Sequence, residues 1–387
     1  MIKTTLAYKE NGILHHEVRI EFQDESTITV DDMDIFSLQI SEASSNTSSF
    51  DLGAANANQL TLKLNNIDGK FDTHDFSEAL ITVKIGLELP DGSTEWLNKG
   101  SFNAEPGEES GNTISVKAFD DMVKFDQPYS LSKLAYPATL GNIVRDACSC
   151  CGVTLAPDTA SFDNDNYVVQ NRPDDSSVTF RQILQWVGQI ACNFFVINID
   201  GKLSARWYNT EILESMWGYK KDGVLYNING ELIEDVSGLI IVEETEGIIK
   251  TDALLSGSVI KTDDVVITGI KVVEEDQGDT SEETTYQSGA EGYVLEISGN
   301  KLIQDGNGAT IASYLGERLN GLQFRPMEVD VPTDPAREAG DLGLVTDARG
   351  RHYKTIFTNI EYNAHAAQKL TSGAEAPTRL SSFRYSQ

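Results

Sequence analysis

Apolar and polar positions alternate with a period of two through Val18-Arg19-Ile20-Glu21-Phe22, Thr27-Ile28-Thr29-Val30 and Ile35-Phe36-Ser37-Leu38-Gln39-Ile40, which predicts three half-buried strands. A loop of small residues, Ser41 to Ser49, precedes a fourth at Gln59-Leu60-Thr61-Leu62-Lys63-Leu64. Ile81-Thr82-Val83-Lys84-Ile85-Gly86-Leu87 and Thr94-Glu95-Trp96-Leu97 flank Pro90-Asp91-Gly92. There Pro presets φ and Gly permits a positive φ, so the two runs form a hairpin. Gly100-Ser101-Phe102-Asn103-Ala104 and Thr113-Ile114-Ser115-Val116-Lys117-Ala118 make another pair, with Gly107 and Gly111 between them. So many short strands in the first third of the chain predict a barrel or a sandwich.

The period then changes. Leu140, Ile143, Val144, Ala147, Cys148 and Cys151 fall on one helical face, with Thr139 placed to cap the start and Gly152 the end. A second helix is expected from about Val178 to Ala191, with Phe180, Ile183, Leu184, Val187, Ile190 and Ala191 on its apolar face and Ser176 or Ser177 as cap. Phe194 to Ile199 and Lys202 to Trp207 flank Asp200-Gly201, a dipeptide suited to a two-residue type I′ turn. Strand patterns return at Leu239-Ile240-Ile241-Val242, Val265 to Ile270 and Tyr293 to Ile297. The polar stretch Glu274 to Ser288 reads as an exposed loop. One helix is expected near Ala309 to Leu319, then strands at Met327 to Val331, Leu342 to Val345 and one long run from His352 to Tyr362. The expected class is therefore mainly β with α+β: two β domains around a small α+β module, with an insertion in the second half.

A chain of 387 residues is longer than one ordinary core supports, which agrees with several modules. The net charge of −30 adds a feature that the hydrophobic pattern does not contain. Residues 1–127 hold 9 Lys+Arg against 23 Asp+Glu, and residues 211–325 hold 8 against 22, so each block carries −14, while the rest is nearly neutral. Such acidity disfavours stable nucleic-acid binding, which depends on cations displacing counterions from phosphates. Cys148, Cys150, Cys151 and Cys192 are too clustered for a disulfide framework and read as reduced thiols of a protein made in a cytoplasm. The opening Met1 to Glu10 lacks the pattern of a signal peptide, and no run approaches the length of a membrane span.

Candidate chemistry is sparse. Asp120-Asp121 reads as a solvated acidic pair, since charged residues are mostly exposed. Asp163-Asn164-Asp165-Asn166 begins like a Ca²⁺ loop, but Val168 stands where the turn needs Gly and Asp174 where the loop needs Glu. Cys148 and Cys151 have Cys-x-x-Cys spacing on an apolar helix face and read as core thiols. Gly306-Asn307-Gly308 is followed by Ile311 where a dinucleotide fingerprint has its third Gly, so it reads as a loop before a helix. His15-His16 is the one histidine pair, and neighbours on a strand face opposite ways. No catalytic residue, no cofactor-binding residue, no metal ligand and no cofactor is assigned.

Three stretches resemble the baseplate hub or tail-tip structural proteins of tailed bacteriophages and contractile bacteriocins. The first runs from Phe50-Asp51-Leu52-Gly53 and Gln59-Leu60-Thr61-Leu62 through Trp96 and Gly100-Ser101-Phe102 to Ala118-Phe119-Asp120-Asp121-Met122. The second is Thr179-Phe180-Arg181-Gln182-Ile183-Leu184 with the Asp200-Gly201 hairpin. The third is Asp334-Pro335, Gly340-Asp341, Tyr353 and Gly373-Ala374-Glu375-Ala376-Pro377. The resemblance implies a tube-like β-barrel domain over 1–127, an α+β module over 128–210, a second tube-like barrel from 211–264 and 320–387, and an inserted segment over 265–319. The absence of a catalytic motif reads as a non-enzymatic chain, and the resemblance further implies a homotrimeric adaptor between a hexameric tail tube and a three-fold spike, in the baseplate of a virion or particle assembled in a bacterial cytoplasm. The implied partners are the tail tube protein or tube initiator, the spike, other baseplate proteins and the tape measure. An acidic lumen would repel DNA in transit. A glycan-binding β module of the cell surface and a tail-associated cell-wall hydrolase are the alternative readings.

Overall fold

The computed structural model of the chain describes residues 13–47, 49–89, 91–173, 177–245, 247–275, 283–304 and 306–374. The alternating first third folds into β1 (Leu14–Glu21), β2 (Thr27–Asp31), β3 (Ile35–Ala43), β4 (Gln59–Asn65), β5 (Leu80–Glu88), β6 (Thr94–Ala104), β7 (Glu108–Ser110) and β8 (Thr113–Phe119). Its period of two becomes burial: Leu60, Leu62 and Leu64 of β4 and Ile81, Val83 and Ile85 of β5 are fully buried, while their strand neighbours point outward. Each such side chain contributes roughly 1.5–3 kcal/mol through the water it leaves. With Val18, Ile20, Phe71, Phe102 and Val116 they make one continuous core.

The middle holds β9 (Ala138–Thr139), α1 (Leu140–Cys151), β10 (Thr154–Leu155), β11 (Val168–Val169), α2 (Phe180–Ala191), β12 (Phe194–Ile197) and β13 (Lys202–Arg206). Helix α1 has the expected bounds and caps: the Thr139 hydroxyl accepts from the Asn142 amide, and Gly152 takes a φ of 68°. Helix α2 starts later than expected and uses Thr179, whose hydroxyl accepts from the Gln182 amide at 3.2 Å. Ser176 lies outside the described residues. Between β12 and β13 the chain makes no two-residue turn. Asn198 and Gly201 close it through Gly201 N–H donating to Asn198 O at 2.9 Å, and only Gly201 has a positive φ, where a type I′ turn needs two.

The last part contains α3 (Thr210–Glu214), β14 (Met216–Lys221), β15 (Val224–Asn227), β16 (Leu239–Ile241), β17 (Ile248–Thr251), β18 (Val259–Ile260), β19 (Val265–Glu275), β20 (Glu283–Gly289), β21 (Tyr293–Ile297), α4 (Gly308–Leu319), β22 (Gln323–Phe324), β23 (Met327–Val331), β24 (Leu342–Thr346), β25 (His352–Ile356), β26 (Asn359–Asn363) and β27 (Gln368–Ser372). Two expectations are corrected here. The polar stretch after Glu274 is not a loop at either end: β19 runs into it and β20 pairs back from Glu283, with Thr284, Thr285 and Tyr286 suited to a strand. Glu274 is itself buried, and its carboxylate accepts from the amides of Gly306 and Gly308 at the start of α4. The long run from His352 to Tyr362 is two strands in different sheets. Buried Phe357 lies between them, its amide donating to Asp341 O and its carbonyl accepting from Gly340 N–H.

The mainly β architecture with an α+β middle is as expected, but its ladder differs from two separate closed barrels. Among the described residues twelve strands form one sheet with an open path, β18-β23-β27-β26-β3-β4-β8-β6-β5-β1-β2, with β7 paired to β8, and the remaining strands form smaller sheets. The seam is β26 against β3, in register from Asn359 opposite Ala43 to Asn363 opposite Gln39. The first and last parts of the chain therefore share a sheet. The α+β middle joins it through close backbone contact: Phe195 N–H donates to Ala54 O at 2.7 Å, and a Cβ on Gly188 of α2 would lie 2.8 Å from the Gly53 Cα.

Candidate functional site

Three of the five histidines of the chain meet at one carboxylate. The β1–β2 register sets Glu17 opposite Asp31, which brings the next residue, Asp32, beside His16. His16 is buried, its Nδ1 lying 2.6 Å from Asp32 Oδ1 and its Nε2 2.7 Å from the Tyr362 hydroxyl of β26, while its amide donates to Asp32 Oδ2 at 3.2 Å. Burial lowers the proton affinity of His16 below that of an ordinary imidazole, against the pull of Asp32. His365, just past β26, approaches Asp32 Oδ1 with Nε2 at 3.5 Å, and His15 approaches Oδ2 with Nδ1 at 3.6 Å while its Nε2 lies 3.3 Å from Glu88. The carboxylate thus orients an imidazole whose other nitrogen is occupied by Tyr362, an arrangement suited to holding a cation or a proton. The sequence places His15 and His16 on opposite faces, yet both reach Asp32 because it sits in the turn at the sheet edge. His365 joins only through the β3–β26 pairing, for which no local pattern exists.

A second polar cluster lies where all three parts of the chain meet. Lys99 of β6 is buried, with Nζ 2.9 Å from Glu42 Oε1 of β3 and 3.2 Å from Pro335 O. Burial alone would lower its proton affinity, but Glu42, with Glu338 and Asp341 beyond it, more than offsets this and raises it. The second Glu42 oxygen accepts from the Ala339 amide at 3.3 Å, and Arg206 of β13 pairs with Glu338 at 2.5 Å. A cavity of about 40 Å³ among Glu42, Lys99, Asp120, Arg206 and Glu338 is large enough for a water. Asp341 is pushed up to about 7 by burial, the nearby Glu338 charge adding to the effect.

Asp120 corrects the reading of Asp120-Asp121 as a solvated pair. It is buried, capping a 3₁₀ turn over Asp121–Asp126, and accepts from the amides of Met122 and Asn58, both at 3.0 Å. Burial pushes it up to about 7. An Asp followed by Met122 and Phe125, both buried, was the available cue to a cap. The cysteines are free, as expected, with burial pushing the thiols of Cys148 and Cys151 up to about 12. Asp163 of the Ca²⁺-like stretch pairs with Arg318 at 3.0 Å, the Asn164 side-chain Nδ2 donates to Ile190 O, and Asp174 is outside the described residues. Gly306-Asn307-Gly308 precedes a helix, as read.

Two surface features remain. Met33 in the β2–β3 turn, Phe36 at the β3 bulge and Ile67 beyond β4 are 88, 66 and 72% exposed at one end of the β3–β4 pair. The turn and the β4 end are joined by Asn65 N–H to Asp34 O at 2.8 Å and by Lys70 to Asp34 at 2.7 Å. A groove of about 930 Å³ is lined by both polar and apolar groups, among them Asn46, Phe119, Arg181, Glu328, Asn359 and Lys369. No helix among the described residues is long and apolar enough to cross a membrane.

No protein-family model matches the chain, and no curated protein matches it in sequence. Solved structures do resemble it, and tail proteins are among them. The 43 kDa tail protein of prophage MuSo2 from Shewanella oneidensis is 10% identical, with a TM-score of 0.50 over 92% of this chain and 97% of that one. The tail protein from Neisseria meningitidis MC58 is 9% identical, with a TM-score of 0.50 over 92% of this chain and 96% of that one. At such identities the likeness is one of fold, and it extends over nearly the whole of both chains.

Proposed function

We propose that the chain is a structural hub of the baseplate in a phage or phage-like contractile tail. It would act as a trimeric adaptor between the hexameric tube and the three-fold spike, with neighbouring baseplate proteins and the tape measure as further partners. The observation that carries this reading is the fold likeness to a prophage tail protein across 92% of the chain. A single long sheet shared by the first and last parts supports it, because that ties the two ends of the chain together by backbone hydrogen bonds. The exposed Met33, Phe36 and Ile67 support it too, since clustered surface apolar groups mark contacts between proteins. The domain division over 1–127, 128–210, 211–264 with 320–387, and 265–319 belongs to the same proposal, as does the acidic lumen.

The test is electron microscopy of the purified chain mixed with its tube and spike proteins, alongside a solution mass measurement. Three chains per ring at the tube tip, around a channel lined by carboxylates, is the expected result. A chain that remains monomeric and retains on a polysaccharide column would instead favour the glycan-binding reading. A ring whose lumen is neutral or basic would remove the acidic-channel part alone.

A further inference from the structure

His16 Nδ1, an Asp32 oxygen and a His365 ring nitrogen lie within 4.8 Å of one another, and two imidazoles with a carboxylate form a donor set for first-row divalent metals. We infer that His16, Asp32 and His365 form a binding site for a divalent transition-metal cation of the Zn²⁺ or Co²⁺ type. Tetrahedral ligands at about 2.0–2.2 Å from such an ion stand about 3.3–3.6 Å from each other. The His365–Asp32 separation of 3.5 Å already fits, and the His16–Asp32 contact of 2.6 Å has to open by less than the width of a bond.

The surroundings are those of an oriented site. His16 Nε2 lies 2.7 Å from the Tyr362 hydroxyl, which can donate to it or accept from it, so the ring can carry its proton on Nε2 and turn the Nδ1 lone pair to a cation beside Asp32 Oδ1. The His16 amide holds the other carboxylate oxygen at 3.2 Å. His365 is half exposed and Asp32 partly so, which gives an ion a way in from solvent. His15, 3.6 Å from Asp32 Oδ2, is within reach as an outer partner. The ligands come from β1, from the β2–β3 turn and from the chain after β26, so a bound ion would cross-link the first and last parts of the chain beside the β3–β26 seam.

The test uses the full chain without a histidine tag, stripped with chelator and titrated with Zn²⁺ by calorimetry and with Co²⁺ by visible absorption. The expected result is one equivalent of Zn²⁺ per chain, a rise in Tm on binding, and an affinity about tenfold or more weaker in both His365→Ala and Asp32→Asn. His365 is exposed enough for its alanine variant to fold, and His352→Ala, away from the cluster, should bind like the parent. No saturable binding in excess Zn²⁺, or an affinity unchanged in either His365→Ala or Asp32→Asn, overturns the site, the latter by placing the ion elsewhere, for example on the thiols.

Discussion

At the scale of single residues, two buried carboxyls set how the fold responds to acid. Asp120 and Asp341 are both pushed up to about 7 by burial, so the folded chain keeps protons that the unfolded chain releases near pH 4. For a group whose folded value is raised in this way, the favourable form is fully present below the ordinary carboxylate range and is lost as pH rises through about 7. Each tenfold change in proton affinity is worth about 1.4 kcal/mol, so the cost of ionising either group in place is of the order of a few kcal/mol. Tm should therefore fall as pH is raised from 5 to 8. In Asp341→Asn the carbonyl can still accept from the Glu338 amide, which Asp341 now holds at 3.0 Å, and that fall should shrink by about 1 °C per kcal/mol removed. Calorimetry of both proteins across this range checks it, and equal slopes would mean that Asp341 is ionised throughout. Neither residue was visible in sequence as a buried acid, because burial depends on what covers a residue, and the cover over Asp341 includes β13 and β3, far away in the chain.

At the scale of elements, local pattern and long-range contact divide what was legible. The strands of the first third and the helices α1, α2 and α4 follow from apolar spacing and caps that act within a few residues. The β3–β26 seam does not, since strand pairing at a distance leaves little local mark, and the paired ends of β19 and β20 were hidden by their polar, acidic residues. Glycines separate the two cases by experiment. Gly53 has a φ of +78°, and a Cβ there would meet Gln185 O of α2 at 2.3 Å, whereas Gly201 has a φ of +73° with nothing within 4 Å. Gly201→Ala should cost about 1 kcal/mol, the backbone strain alone. Gly53→Ala should cost more than about 3 kcal/mol, because α2 has to move away from the 50–57 segment as well. Chemical denaturation of the two variants gives the comparison directly. Similar losses would mean that the α+β middle is loosely held and able to shift off the sheet.

At the scale of the whole molecule, charge and apolar exposure act against each other. With 30 Lys+Arg against 60 Asp+Glu, at least half of the carboxylates have no cation of their own, and copies of the chain repel one another. Self-association then needs a contact whose apolar burial exceeds that repulsion, and Met33, Phe36 and Ile67 offer one at a single end of the sheet. Screening shortens the reach of the repulsion from about 30 Å at 0.01 M salt to about 8 Å at 0.15 M, while apolar contact is not weakened by it. Association of the purified chain should therefore strengthen with salt, the opposite of what an interface built on ion pairs would show. The combined variant Met33→Ser, Phe36→Ser and Ile67→Ser should keep its Tm, since these side chains are already exposed, and remain monomeric at every salt concentration. Sedimentation of both proteins over this range decides the matter: a serine variant that assembles as well as the parent would place the contact on another face, and assembly that weakens with salt would make it electrostatic.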